Sequence, residues 1–259
     1  MARKKWIVKN ADKALAKELA EECEINQLVS LILLSRDMTD PVEIDEFLSD
    51  ELYFSDPFDL PDMERAVDRI EKAKQNNEKV AVCGDYDADG VTASAILYTY
   101  LKQSGYDVIC SIPKRLESGY GLHNHTINEL SSKGIKLIVT VDNGISAVEE
   151  IEYAKSLGID TVITDHHLPG EKLPDAKAIV DPHLPDALCE FRDYAGVGVS
   201  YMLVCALERC PCEDMLERFG DLAALGTVAD MVPLLSENRA LVKAGLSMLN
   251  LRKRPGLCE

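Results

Sequence analysis

Three aspartates stand at every second position in Asp85-Tyr86-Asp87-Ala88-Asp89-Gly90. Carboxylates this close repel one another, and a hard divalent cation among them relieves the repulsion. In an extended segment residues two apart project to one side, so the spacing predicts that Asp85, Asp87 and Asp89 converge on one small volume. Taken alone, such a stretch reads better as a solvated acidic turn. The chemistry found downstream weighs against that reading. Asp142-Asn143-Gly144 and Asp165-His166-His167 each follow a short apolar run, and Asp230 lies in the apolar segment Leu222 to Met231, where an unpaired carboxylate is costly to bury. Each has a bland alternative when taken singly: a turn-forming Asp-Asn-Gly, one packed and one solvated histidine, a carboxylate at a helix end. Together they form an oxygen and imidazole donor set that suits Mn²⁺ or Mg²⁺ better than a thiophilic metal.

An alternation of strands and helices must position these groups. Strands are predicted over 79–84, 106–112, 136–141, 160–164 and 178–180, and helices over 90–103, 126–133 and 147–157. The helix over 147–157 is expected to open on a Ser146/Glu149 capping box and to close at Gly158. This pattern predicts an α/β fold, a doubly wound, mostly parallel sheet flanked by helices, with helical extensions at both ends. Ligands of such sheets bind beyond the carboxyl ends of the strands. Three strands would then bring Asp85 to Asp89, Asp142 and His166-His167 to one edge, which makes a metal site the better reading. Residues 1–56 read as an N-terminal helical extension, with a helix starting at Asp40-Pro41-Val42-Glu43, and Pro57 to Pro61 as a linker. Met63, Ala66, Val67, Ile70 and Ala73 mark an amphipathic helix, and Gly196-Val197-Gly198-Val199 opens a helix suited to close packing. The α/β domain is expected over 57–235.

Composition bounds the function. The 259 residues are 46% hydrophobic, enough for a substantial core, and carry a formal net charge of −17, which disfavours a broad nucleic-acid groove. It does not exclude phosphate chemistry, because bound divalent ions reverse the local sign. No apolar run is long enough to cross a bilayer and the N-terminus lacks the core of a secretion signal, so the expected location is cytoplasmic. The eight cysteines read as small buried hydrophobes, and Cys210-Pro211-Cys212 lacks the companions of a zinc site.

In order and rough spacing, Asp85-Tyr86-Asp87-Ala88-Asp89-Gly90, Asp142-Asn143-Gly144, Asp165-His166-His167 and Gly226-Thr227-Val228-Ala229-Asp230 resemble the DHH phosphoesterase superfamily. The loop Pro113-Lys114-Arg115-Leu116-Glu117-Ser118-Gly119-Tyr120-Gly121-Leu122 is similar to one in its RecJ branch, the single-strand-specific exonucleases. The likeness covers roughly residues 50 to 259. It implies a two-metal phosphodiesterase that removes 5′ mononucleotides from single-stranded DNA in the 5′ to 3′ direction with Mn²⁺ or Mg²⁺. Carried over residue by residue, Asp89, Asp142, His166 and Asp230 match metal ligands, and Asp87 matches a ligand of the second ion, with Asp142 bridging. Asp85 either ligates or orients a water on the metal. His167 either supports the ligands or contacts the scissile phosphate and aids the leaving group, and Asp165 orients the histidines. Arg115 is the candidate phosphate clamp and Tyr120 the candidate base-stacking residue.

The implied partners are single-stranded DNA or a short oligonucleotide, together with a single-strand-binding protein and a helicase. Relatives in the family continue into a second domain with a Gly-Gly-His motif, and often an OB-fold. These motifs do not occur here, so 236–259 is expected to begin a linker and the site to be half built. Two other readings stay open: a phosphoesterase of the same superfamily acting on short oligonucleotides, nucleotide bisphosphates, cyclic dinucleotides or pyrophosphate, and a non-catalytic DHH-derived replication scaffold.

Overall fold

The computed structural model describes residues 11–49, 51–113, 121–185 and 187–258. The chain divides into two units, Met1–Glu51 and Leu52–Glu259. In the first, α1 (Lys13–Glu22), α2 (Gln27–Ser35) and α3 (Pro41–Leu48) start at Asp12, Asn26 and Asp40, whose side chains accept from backbone amides of the first turn. Pro41 occupies the first helical position, as the sequence predicts. Ala16, Leu19, Leu33, Leu34, Met38 and Ile44 form this unit's core.

The second unit contains α4 (Met63–Gln75), β1 (Lys79–Cys83), α5 (Ala88–Gln103), β2 (Val108–Ser111), α6 (Asn124–Ser132) and β3 (Ile135–Val141). It continues with α7 (Val148–Ser156), β4 (Asp160–Thr164), β5 (Ala178–Val180), α8 (Gly196–Glu208), α9 (Cys212–Ala229), α10 (Ser236–Asn250) and α11 (Pro255–Cys258). The five strands are all parallel in the order β2-β1-β3-β4-β5. Side-chain alternation sorts the two faces. Val80, Val82, Val139 and Val162 pack with α4, α5, α8 and α9, whereas Ala81, Cys83, Ile138 and Ile163 pack with α6 and α7. A sheet covered on both sides explains why its strands read as nearly unbroken apolar runs. All five apolar positions predicted along α4 are buried.

The structure differs from expectation at several places. Pro57 and Leu60 are buried, with Pro57–Asp59 in a 3₁₀ turn started by Asp56, so this stretch belongs to the packed unit instead of linking two. The division accordingly falls at Glu51, ahead of position 56. Ser236–Asn250, where a helical linker was expected to begin, is helical and also packs along α9 through a close approach at Gly220 and Gly245, where an added Cβ on Gly245 would overlap the Gly220 carbonyl oxygen. The α7 helix starts after Ala147 without a side-chain cap, so Ser146 does not cap it, although Gly158 does follow its end at φ +72°. Four cysteines are buried, Cys110 and Cys258 are exposed, and all eight are free thiols. No helix among the described residues is long and apolar enough to cross a membrane.

At the amino edge of the sheet, Arg69 on α4 reaches Asp160 through Nε at 2.8 Å and Glu78 through Nη2 at 2.7 Å. Removing this nearly buried cation leaves two partly buried carboxylates with only weaker partners, Asp160 with Lys177 at 3.4 Å and Glu78 with the Asn76 side-chain amide at 3.0 Å. Arg69→Ala is expected to destabilise the fold by about 2–4 kcal/mol, read as a lower urea midpoint at unchanged slope. Divalent-ion affinity should stay within about twofold, because the candidate site lies at the opposite edge.

Candidate metal centre

The strand order reverses direction between β1 and β3, and a doubly wound sheet opens a crevice beyond the carboxyl ends of those strands. Asp85 follows β1, Asp142 follows β3, and Asp165, His166 and His167 follow β4. Asp142 adopts a left-handed conformation at φ +59°, which an aspartate tolerates at a cost of about 1 kcal/mol. Asn143 ties the two strand ends together, its Nδ2 donating to the carbonyls of Cys83 at 3.1 Å and Val141 at 2.8 Å. Asp230 caps the carboxyl end of α9.

The three alternating aspartates do not lie in one extended segment as the sequence suggested. The chain turns into α5 at Ala88, with Asp87 as its N-cap, accepting from the Gly90 amide at 2.9 Å. Capping the helix here puts Asp89 within the first turn and buries it, while Asp87 stays exposed. Asp85 is buried on the preceding loop. Its Oδ1 accepts from the Gly121 amide at 3.5 Å, and Oδ2 has no hydrogen-bond partner among the described residues.

His166 is the meeting point of the site. Its Nε2 lies 3.2 Å from Asp142 Oδ1, 3.8 Å from Asp230 Oδ2 and 3.9 Å from Asp89 Oδ2, and makes no hydrogen bond among the described residues. Donor atoms of Asp89, His166 and Asp230 fall within 4.8 Å of one another, as do those of Asp142, His166 and His167. Two overlapping donor groups therefore share one imidazole. Asp165 orients the pair: Oδ1 accepts from the amides of His166 at 2.8 Å and His167 at 3.2 Å and pairs with His167 Nδ1 at 2.7 Å, and Oδ2 accepts from the Ile145 amide at 2.9 Å. Asp87 is in neither group, and Arg115 and Tyr120 lie outside the described residues.

Electrostatics reflect this crowding. Burial, followed by the neighbouring Asp142 charge, pushes Asp89 up to about 8. Burial, followed by Asp87 and Asp165, does the same to Asp142. Burial also raises Asp85 and Asp230. His167 is raised to about 9, chiefly by its hydrogen bond to Asp165.

Sequence reasoning missed three contributors. The amides of Gly196 and Val197, at the start of α8, donate to the two carboxylate oxygens of Asp89 at 2.6 and 2.8 Å. The available signal was a helix opening on Ala195 with no side chain able to cap it, so that its first amides needed an outside acceptor. Gly196 and Gly226 leave room for the carboxylates, since a Cβ on either would come within 3 Å of Asp142 or Asp89. Asp181, directly after β5, adds another fully buried carboxylate at the same edge, held by the His183 amide at 2.8 Å and pushed up to about 7 by burial.

The donors fit a hard divalent ion. Carboxylate oxygens and one unsatisfied imidazole nitrogen converge where burial penalises the carboxylates' charges, and no thiol takes part in either donor group. Residues 79–227 match the DHH family, N-terminal domain. The chain belongs to the DHH family. It is 39% identical over 259 residues to the single-stranded-DNA-specific exonuclease RecJ of Bacillus subtilis, covering 100% of this chain and 32% of that protein. A crystal structure of exonuclease RecJ bound to manganese matches with TM-score 0.69 and 39% identity, over 76% of this chain and 50% of that one. RecJ from Thermus thermophilus in complex with Mn²⁺ matches with TM-score 0.76 and 32% identity, over 95% of this chain and 35% of that one. The chain spans about a third of the length of the curated relatives it matches. The doubly wound, mostly parallel, helix-flanked sheet expected from the sequence is the fold of this DHH domain, with every strand pair parallel.

Two outcomes test the site. Gly196→Ala should weaken Mn²⁺ binding about tenfold or more in calorimetry, because the new methyl displaces Asp142 from the donor group. The second concerns pH. Asp89 and Asp142 hold protons in the folded state up to about 8, against about 4 when unfolded, so metal-free stability falls as pH rises through that window. His167 acts with the same sign: its contribution is complete below about 6.5 and lost as pH rises through about 9. The metal-free thermal midpoint should therefore drop between about pH 5 and pH 9, and Asp142→Asn should flatten the drop.

Proposed function

We propose that this chain carries the metal centre of a single-strand-specific DNA exonuclease that removes mononucleotides from the 5′ end using two Mn²⁺ or Mg²⁺ ions. The observation that carries this reading is the convergence of Asp89, Asp142 and Asp230 on His166 at the strand-order reversal. The names of the RecJ relatives and the manganese in two of the matched structures support it. In this reading Asp89, Asp142, His166 and Asp230 hold metal, and Asp87 and Asp85 complete the second position or orient water. Bound divalent ions would activate a water and neutralise charge at the phosphate. The chain's own residues do the positioning. Asp165 fixes the His167 ring through Nδ1, and the half-exposed ring faces the substrate side, where it contacts the phosphate or protonates the leaving oxygen. The α8 amides hold Asp89 as a bidentate carboxylate.

Arg115 and Tyr120 serve as the phosphate and base contacts. The net charge of −17 makes metal-mediated contact the route by which a polyanion approaches. A cytoplasmic location belongs to this proposal, and the eight free thiols are in keeping with a reducing compartment. A single-strand-binding protein and a helicase are the partners that would supply such a substrate.

With Mn²⁺, 5′-labelled single-stranded DNA should release a labelled mononucleotide. Asp142→Ala or His166→Ala should reduce that release about a thousandfold or more and abolish the calorimetric Mn²⁺ signal. Turnover confined to dinucleotides would overturn the DNA assignment, and full turnover in either variant would overturn the ligand assignment.

A further inference from the structure

The first turn of α10 holds two buried polar side chains that touch neither donor group yet reach both segments supporting it. Glu237 accepts from the Ser55 hydroxyl at 2.6 Å through Oε1 and from the Tyr194 hydroxyl through Oε2. Asn238 Nδ2 donates to the Asp193 carbonyl at 2.6 Å and to the Pro233 carbonyl at 3.0 Å. Both side chains belong to fully buried residues. Asp193 and Tyr194 immediately precede Ala195 and Gly196, where the amide clamp on Asp89 begins. Pro233 lies three residues after Asp230, in the connection from α9 to α10.

Met231 and Ser236, at the two ends of that connection, sit at φ +63° and +43°, and Met231, directly after the C-cap of α9, is exposed, so side-chain packing at that end does not hold the connection. Leu235 gives α10 no side-chain cap. On the other side, the Tyr194 ring is wedged between Phe191, edge-on at 4.8 Å, and Gly198, where an added Cβ would lie 3.1 Å from Tyr194 Cδ1. A shift of Tyr194 is thereby transmitted to the start of α8.

We infer that Glu237 and Asn238 form a positioning latch that fixes the distance between the clamp on Asp89 and the loop bearing Asp230, and so sets the spacing of the metal donors. Asn238 bridges the two segments directly, and Glu237 anchors the clamp side to the stretch entering the domain. Neither residue touches metal or substrate. The inference rests on the metal-centre reading above and assigns that site two supports far from its donors in sequence.

Amide hydrogen exchange in the metal-free 259-residue chain tests the latch, with Mn²⁺ calorimetry as the second readout. Asn238→Ala and Tyr194→Phe should each speed exchange at Gly196 and Val197 about tenfold or more, leave Leu203 in the middle of α8 unchanged, and weaken Mn²⁺ binding about tenfold. Unaltered exchange at Gly196 and Val197 would overturn the proposal, as would equal acceleration at Leu203, the mark of general destabilisation. Should Asn238→Ala fail to fold, Tyr194→Phe, which removes a single hydroxyl, decides. Wild-type protein that bound no Mn²⁺ would defeat the metal-centre reading, and the exchange of these amides would still decide whether the latch holds the clamp.

Discussion

Like-charge repulsion in a buried volume is the constraint on which the rest of this structure depends. Asp89, Asp142 and Asp230 crowd around His166, with His167 also in reach of Asp142, so three carboxylates face two imidazoles. Bare carboxylates in such a place are strongly disfavoured, and the protein meets the penalty in two ways. It holds protons on the buried aspartates far above their ordinary range, and it directs the amides of α8 at Asp89. A hard divalent cation satisfies the same geometry without the protons. Metal affinity and metal-free stability are thus coupled, and the coupling changes with pH.

The sheet supplies the rigid frame for this balance. Parallel strands covered on both faces fix where each chain end emerges, so β1, β3, β4 and β5 place Asp85, Asp142, Asp165 to His167 and Asp181 along one edge. Hydrogen bonds between the strand ends lock that edge: the Asp142 amide donates to the Thr164 carbonyl at 3.0 Å, and the Asp165 amide donates to the Val180 carbonyl at 3.1 Å. The remaining donors come from the helical layer. Asp89 and Asp230 lie on α5 and at the end of α9, and glycines at 196 and 226 let α8 and α9 approach closely enough to join the site. The centre is therefore built between a sheet edge and a helix layer, and residues that hold those layers in register contribute to it without touching metal.

Much of this was legible in the residues. Strand and helix alternation predicted the parallel sheet, and all five strands form within a few residues of their expected bounds, because short apolar runs between turn residues are local signals. The aspartates of 85–89, Asp142, the His166-His167 pair and Asp230 stood out as polar residues in or at the ends of apolar segments, and the family resemblance singled out Asp89, Asp142, His166 and Asp230 among them. The errors have a common origin. Extended-chain spacing predicts one strand-like segment through Asp85, Asp87 and Asp89, but Asp87 caps α5 and the period changes from two residues to about 3.6 at that point, leaving Asp89 buried and Asp87 exposed yet close enough to raise Asp142. Pro57 to Pro61 has linker-like composition, yet it packs within the domain, because burial depends on what a segment meets.

By itself, the order of residues determined which groups could bind a cation and which strands would carry most of them, since donor chemistry and strand periodicity are properties of a few neighbouring residues. Only the tertiary structure decided how those donors are held. The amides gripping Asp89 are 107 and 108 positions away from it, and the side chains steadying that grip lie on a still later helix. Pairings over such separations are set by how helices stack on a sheet, and no local pattern encodes them.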